Sequence, residues 1–444
     1  MGVRPAARAG HSTEEMNLVG DQLCPGEPMH ATHSLKRAPL RLLSITLLTL
    51  QMTCVTLRPQ TVAAQSHQSV SGSLQPFVDS HTLAGAVTLV ASRDKVLSLE
   101  AVGYADIAAQ EPMKIDALFW IASMSKPMTA TALMMLVDEG KVGLDDPVEK
   151  YLPEFKGQML VAEQDPNHVL LNKPSRPITV RDVLSHTSGL PFASRVEPKI
   201  DQHPLREAAI SYALTPLKSE PGSKYEYSNA GINTAGRIIE VVSGIPYEEF
   251  MDRRLFQPLG MKDTTFWPTA EQVKRLAKSY KPNAARNGLE ETDISQLSYP
   301  LTGHQRGPSP AGGLFSTAMD LSLFCRMIAA GGVYGGKRYV SEAAVREMTS
   351  TQTGHLLDKD KGESGYGLGW STSRKAGGSD SGIPGPCGHG GAYSTQMGID
   401  PQRQFITVFL VQHAGYPGIS GGKIHSTFVN AAVEQFGHPD QKPK

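Results

Sequence analysis

Ser123 and Lys126 stand three residues apart in Phe119-Trp120-Ile121-Ala122-Ser123-Met124-Ser125-Lys126-Pro127-Met128, directly ahead of an apolar run over 130–137. Residues i and i+3 share one face of a helix, so the Lys126 amine can reach the Ser123 hydroxyl. A helix start also leaves backbone N–H groups unpaired, with positive partial charge directed outward. A serine is a weak nucleophile until a base takes its proton. A lysine one turn away can take it, provided its surroundings keep it neutral. The chemistry suggested is nucleophilic attack by Ser123.

Spacing alone has little specificity. A second Ser-x-x-Lys, Ser92-Arg93-Asp94-Lys95, lies between two β-like runs over 86–90 and 96–99 and reads as a solvated hairpin turn. Ser123 differs because the composition of a buried helix follows it. Without further support, it would be a helix-start serine beside a solvated lysine.

Two other stretches add that support. Tyr225-Glu226-Tyr227-Ser228-Asn229-Ala230-Gly231 follows a turn at Pro221-Gly222-Ser223 and precedes a helical run over 232–242. It holds the only Tyr-x-Asn in the chain and can set the Tyr227 phenol beside the Asn229 carboxamide. Cys387-Gly388-His389-Gly390-Gly391-Ala392-Tyr393 opens a strand expected over 393–399. Its glycines allow a backbone or ligand to approach closely, although a plain turn into a strand would also use them.

Together the three motifs resemble the serine β-lactamase superfamily. The nearest likeness is to the branch of class C β-lactamases, D-alanyl-D-alanine carboxypeptidases, D-aminopeptidases and esterases. The flanking stretches Ile178-Thr179-Val180-Arg181-Asp182-Val183-Leu184-Ser185-His186-Thr187-Ser188-Gly189-Leu190, Leu255-Phe256-Gln257-Pro258-Leu259-Gly260-Met261 and Ala311-Gly312-Gly313-Leu314-Phe315-Ser316-Thr317 agree. The likeness runs from about residue 74 to 436 and says little about the substrate.

The resemblance implies Ser123 as the acylated nucleophile, Lys126 as its proton partner and Tyr227 as general base or acid. It implies Asn229 as a donor to the acyl side chain, His389 and Gly391 in the substrate-binding wall, and an oxyanion hole from the N–H groups of Ser123 and Ala392. Each such donor is worth roughly 3–4 kcal/mol. Lysine and tyrosine both titrate near 10 when unperturbed. Work near neutral pH then asks both to fall, the lysine through desolvation and the tyrosine through nearby positive charge.

The implied fold is α/β (α+β), of the β-lactamase or penicillin-binding transpeptidase type. An antiparallel sheet is flanked by helices, with an inserted all-helical subdomain over roughly 130–305 of a catalytic domain at 70–440. The chain order agrees: two β-like runs precede Ser123, helices and Pro/Gly loops follow, and strands return over 365–370, 393–399 and 405–411. The last two flank a hairpin turn at Asp400-Pro401-Gln402-Arg403-Gln404. A final helix is expected over 424–436. The terminal strand groups must pair to bury their faces.

One departure bears on substrate. Many β-lactamases carry lysine where His389 stands, and the chain has no Lys-Thr-Gly. Lys375-Ala376-Gly377 is a poor substitute in a Gly/Ser loop. Histidine at this position is similar to peptidase and esterase members. It weakens recognition of a β-lactam carboxylate, and its charge is expected to fade near pH 6.5.

Equal counts of 43 basic and 43 acidic residues, with no Lys/Arg run, give no polyanion or nucleic-acid partner. Expected partners are small ester, amide or D-amino-acid peptide substrates. No metal-ligand spacing appears among the histidines, and no cofactor is expected. Lys36, Arg37 and Arg41 precede an apolar run over 42–57, and Val62-Ala63-Ala64 offers a cleavage site. Residues 1–64 thus read as a signal peptide with an N-terminal extension, Met29 being an alternative start, and predict a secreted or periplasmic protein. The run is short for a membrane span. Cys54 lacks the small-residue pattern of a lipoprotein.

After that segment two cysteines remain, Cys325 in an apolar helix over 321–328 and Cys387, and an oxidising compartment would permit a bridge. His186 in Ser185-His186-Thr187-Ser188 invites a Ser-His reading but is better taken as a loop histidine bonded to backbone.

Two other classes compete. Gly418-Ile419-Ser420-Gly421-Gly422 matches Gly-x-Ser-x-Gly, but an α/β-hydrolase needs acid and histidine further on, and too little chain follows, so it reads as a flexible loop. A non-catalytic cell-wall peptide-binding protein would be expected to lose Ser123, Lys126 or Tyr227, and all three are present.

Overall fold

The computed structural model describes residues 69–354 apart from Arg195, residue 356, and residues 364–373 and 386–437. The expected leader over 1–64 and Lys375-Ala376-Gly377 lie outside the described residues.

Apolar runs from both ends of the catalytic region form one sheet. Its strands are β1 (Gly85–Ala91), β2 (Val96–Asp106), β3 (Glu111–Pro112), β4 (Ser364–Tyr366), β5 (Ser371–Ser373), β6 (Cys387–Gly390), β7 (Gln396–Asp400) and β8 (Phe405–Leu410). The spatial order is β4-β5-β6-β7-β8-β1-β2-β3, antiparallel at each pair. β8 and β1 join the C-terminal group to the N-terminal one, with Leu89 opposite Val408.

Every residue of β1 is buried because helices cover both faces. Side chains alternate across a strand. Val87, Leu89 and Ala91 pack with Met128 and Leu133. Ala86 and Val90 face the other way, toward Ile424 and Phe428. Phe428 stacks on Phe409 of β8 with ring centres 5.6 Å apart, and its truncation to alanine should cost about 3–5 kcal/mol.

The helices used below are α1 (Ser125–Asp138), α2 (Val180–Ser185), α3 (Leu205–Ala213), α4 (Asn229–Ser243), α5 (Ala318–Ala329) and α6 (Ser420–Phe436). The block between β3 and β4 is not all helical. It also holds hairpins pairing Leu160–Gln164 with Val169–Asn172 and Ser279–Pro282 with Leu289–Thr292. The Val169-Leu170-Leu171 run has the β-branched, apolar character of a strand, which outweighs its Pro/Gly-rich surroundings.

Three local expectations change. The strand expected over 365–370 stops at Tyr366, in β4, and 367–370 form the turn into β5. The one expected over 393–399 begins only at Gln396, as β7, because Cys387–Gly390 already forms β6 and 391–395 make the turn between them. Ser420 begins α6 rather than sitting in a loop. Ser92 occupies the hairpin turn anticipated for it, its Oγ accepting the Lys95 N–H at 3.2 Å. Cys325 and Cys387 are free buried thiols and form no bridge. Cys325 Sγ lies instead 3.7 Å from Met397 Sδ. No helix among the described residues is long and apolar enough to cross a membrane.

Candidate active site

Ser123 sits at a sharp strand-to-helix turn. Phe119–Trp120 pairs antiparallel with Phe315–Ser316. The Trp120 indole N–H donates to the Gly312 carbonyl at 2.7 Å. Ala122 then takes φ 46°, a left-handed conformation that costs a side-chain-bearing residue roughly 1–2 kcal/mol. Ser125 braces that turn: its hydroxyl donates to Ala122 O at 2.7 Å and accepts the Leu314 N–H at 3.2 Å. From 117 to 136, only Ser123 escapes full burial. It lies in the first turn, where helix N–H groups lack intrahelical partners.

Lys126 is fully buried, and among the described residues no carboxylate pairs with it. Its Nζ lies 3.0 Å from Ser123 Oγ, 2.8 Å from Asn229 Oδ1 and 2.7 Å from Ala311 O. Desolvation pushes its pKa well below the ordinary lysine value. A neutral amine has two N–H donors and one lone pair. The amide oxygen and the carbonyl can only accept, so they take both donors. The lone pair is left for the hydroxyl, which can donate. The site therefore holds a base aimed at Ser123 Oγ.

Tyr227 is half-buried, hydrogen-bonded to Ser123, and its ring centre lies 4.7 Å from Lys126 Nζ. Burial pushes its pKa upward, more than the Ser123 bond lowers it. The expected joint fall of lysine and tyrosine is therefore corrected. Desolvation disfavours whichever form is charged, so the same cleft lowers the lysine and raises the phenol. Burial thus favours the neutral form of both, a Tyr227 phenol that can donate a proton and a Lys126 amine that can accept one.

His186 holds that phenol. Thr179 and Asp182 form a reciprocal capping box at the start of α2, which ends on His186 at φ 61°. His186 O accepts the Glu226 N–H at 2.9 Å, and His186 Nδ1 accepts the Ser228 N–H at 3.1 Å. The bonds fall on either side of Tyr227, whose ring centre is 4.4 Å from the imidazole. With Nδ1 accepting, the proton is on Nε2, which is buried without a hydrogen-bond partner. His186 is thus a backbone-bonded histidine, with no bond to a nucleophilic serine.

Asn229 lies beside Lys126. Its Oδ1 faces Lys126, so the carboxamide orients the base as well as bordering the cleft. Ser228 caps α4 by accepting the Gly231 N–H at 3.0 Å, and Phe192 O receives the Asn229 N–H at 2.9 Å.

His389 also differs from expectation. Its Nδ1 lies 2.7 Å from Gly390 O and its Nε2 3.0 Å from the Tyr366 hydroxyl. A carbonyl only accepts, so Nδ1 carries the proton and Nε2 accepts from Tyr366. Burial, reinforced by any charge on Lys126, lowers its pKa to about 3. Neutral at ordinary pH, with both nitrogens occupied, His389 shapes the wall without lending it charge.

Gly391 permits the closest approach in the site. A Cβ there would lie 2.1 Å from Thr395 Oγ1 and 2.5 Å from Ile121 O. Its absence lets the 391–395 turn lie against the Ile121–Ser123 segment. The neighbouring Ala392 is exposed, and its N–H has no partner among the described hydrogen bonds. The Ala392 N–H thus lies on the turn that Gly391 lets approach the Ile121–Ser123 segment.

The pattern described as Beta-lactamase matches residues 70–423, most of the chain. The chain belongs to the β-lactamase family. As a member, it is a hydrolase of the serine type. It is 34% identical to protein Rv1367c of Mycobacterium tuberculosis over 396 residues, covering 83% of this chain and 92% of that one. It is 29% identical to esterase EstB of Burkholderia gladioli, covering 76% and 88%. Among solved structures it resembles EstCE1, a hydrolase with promiscuous acyltransferase activity, at 26% identity and TM-score 0.69, covering 82% of this chain and 97% of that one.

Sequence reasoning missed three parts of this β-lactamase-family site: the Ala311 carbonyl, Tyr366 and the grip of His186. Ala311 and His186 lay inside motifs already singled out. Tyr366 carried no signal, being an ordinary apolar-strand tyrosine until the fold brings it to His389.

Proposed function

We propose that this chain hydrolyses carboxylic esters through an acyl-enzyme on Ser123. The observation that supports it most directly is the buried, unpaired Lys126 with its lone pair left for Ser123 Oγ. In the first half-reaction Oγ bonds to the substrate carbonyl carbon while Lys126 Nζ takes the hydroxyl proton. The carbonyl oxygen becomes an oxyanion between the Ser123 and Ala392 N–H groups. The carbonyl re-forms, the alkoxide leaves, and Tyr227 donates the proton it needs, recovering it from Lys126. Water then repeats the sequence on the acyl-serine, releasing acid and restoring the hydroxyl.

An ester is favoured over a β-lactam or a D-alanyl peptide by charge. Penicillins and D-alanyl peptides present a carboxylate. Among the described residues, those bonded or stacked around Ser123 that could carry positive charge are Lys126, His186 and His389, and burial lowers the pKa of each. Kinship with EstB, named an esterase, supports the same reading. The segment ahead of residue 65 supports export as a further part of it.

Fluorophosphonate labelling with peptide mass spectrometry tests the nucleophile, alongside a panel of ethyl esters, a penicillin and a D-Ala-D-Ala peptide. Label on Ser123, its loss in Ser123→Ala, and turnover greatest on esters are expected. Label on Ser92 or Ser420, or preferred turnover of the penicillin, would overturn the proposal.

A further inference from the structure

We infer that an apolar groove beside Tyr227 receives a long hydrocarbon chain of the ester, so the preferred substrates are medium- or long-chain esters; this rests on the esterase reading above. The groove has a volume of about 830 Å³, within the range of small-molecule sites. Its walls come from three separate pieces of chain: the Leu160–Gln164/Val169–Asn172 hairpin, the segment following Pro191, and the end of α3. Leu214 is 78% exposed, Val196 57%, Phe192 50% and Val169 49%, and all four line this one groove. Leu171 is two residues from Val169 and opposite Val161, so the register puts it on the same hairpin face. Clustered exposure of this kind, unlike single exposed apolar residues, marks a binding surface.

The occupant follows from continuity and charge. Phe192 lines the groove and also stacks on Tyr227, with ring centres 6.3 Å apart and planes 27° from parallel. A chain attached to an ester at Ser123 thus meets the groove past Tyr227. Among its described lining residues only Lys218 is charged, and Glu226 pairs with it at 3.3 Å. The other polar residues among the described lining, Gln164, Ser194, Ser211 and Thr215, are uncharged, whereas each methylene buried raises affinity about fourfold. The chain could belong to the acid or to the alcohol; the groove recognises the hydrocarbon in either case.

The test compares kcat/KM for ethyl acetate, ethyl octanoate and octyl acetate in the wild type and in Val169→Asp/Leu214→Asp. Both positions are exposed, and Leu214→Ser provides a milder second variant. At least a tenfold preference for one octyl ester over ethyl acetate is expected, falling at least tenfold in the double variant. Which octyl ester gains assigns the chain to acid or alcohol. Calorimetry of octanamide binding to Ser123→Ala gives an activity-free readout, with Kd expected to rise at least tenfold when the two aspartates are added. A preference that is absent, or unchanged by the aspartates, overturns the proposal. So does a dimer in sedimentation that the aspartates dissociate, since a second copy would then fill the groove. Octanamide binding without Ser123 labelling would remove the esterase reading and leave the groove standing; labelling with a flat chain-length profile would do the reverse.

Discussion

His186 Nδ1 accepts the Ser228 N–H at 3.1 Å while the same residue's carbonyl accepts the N–H of Glu226, so one residue grips the chain on both sides of Tyr227. The Tyr227 phenol, the proton donor of the proposed mechanism, is thus held through its backbone by a buried histidine.

His186→Ala should therefore lower kcat about 10- to 100-fold with a smaller change in KM, because a misplaced phenol mainly penalises the transition state. The buried Ser228 N–H would also lose its acceptor, costing about 1–3 kcal/mol. Asparagine tolerates left-handed φ and carries a side-chain acceptor. His186→Asn should recover part of kcat. Equal kcat in wild type and His186→Ala, with only thermal stability reduced, would make the grip purely structural.

Lys126→Met should abolish acylation and alter the pH dependence of stability. In the folded state the Lys126 pKa is depressed by burial. Between that value and about 10.5 the unfolded chain binds a proton that the folded one does not. Stability then rises with pH through this window, by at most about 1.4 kcal/mol per pH unit from this group. Denaturant unfolding at pH 6, 7 and 8 should give a steeper rise in wild type than in Lys126→Met. The acid limb of kcat/KM should report the same titration. Parallel stability curves would mean that Lys126 is charged in the fold.

Gly391→Ala should cut kcat/KM at least 100-fold and destabilise the fold by about 1–3 kcal/mol. The added methyl would overlap Thr395 Oγ1 and the Ile121 carbonyl, pushing Ala392 away from Ser123. Wild-type kcat/KM in this variant would show that the turn does not set the oxyanion donors.

The three motifs were legible because each keeps its chemistry within a few adjacent residues: Ser123 with Lys126, Tyr227 with Asn229, His389 with Gly391. The sheet was legible because β1 and β8 are apolar runs needing cover on both faces. What sequence could not give was the sign of burial on Tyr227, since the cleft expected to carry positive charge buries both Lys126 and the phenol. Nor could it show where His389 turns its nitrogens, because Tyr366 and the Gly390 carbonyl meet it only in the folded hairpin. The Val169–Asn172 strand was hidden by its setting among polar and Pro/Gly-rich residues.

His389 gives the sharpest separation between the sequence expectation and the structure. A histidine titrating near 6.5 would favour carboxylate-bearing substrates at low pH and lose them as pH rises. In the fold the Nδ1 proton is bonded to Gly390 O, Tyr366 meets Nε2, and the pKa lies at about 3. Between pH 5 and 8 the imidazole stays neutral, so kcat/KM profiles for an ethyl ester and a penicillin should share one shape, with no step near 6.5 specific to the carboxylate. The same depression has a stability consequence. Below about 6.5 the unfolded histidine takes a proton that the folded one refuses until about 3. Its contribution to stability is complete above 6.5 and is lost as pH falls toward 3. His389→Lys should not confer β-lactamase activity. It would bury a second amine near Lys126, costing about 3–5 kcal/mol if charged, and would break the Tyr366 and Gly390 bonds. Penicillin kinetics, ester kinetics and thermal unfolding of this variant decide the matter. A rise in penicillin turnover relative to esters would mean that position 389 faces the substrate after all.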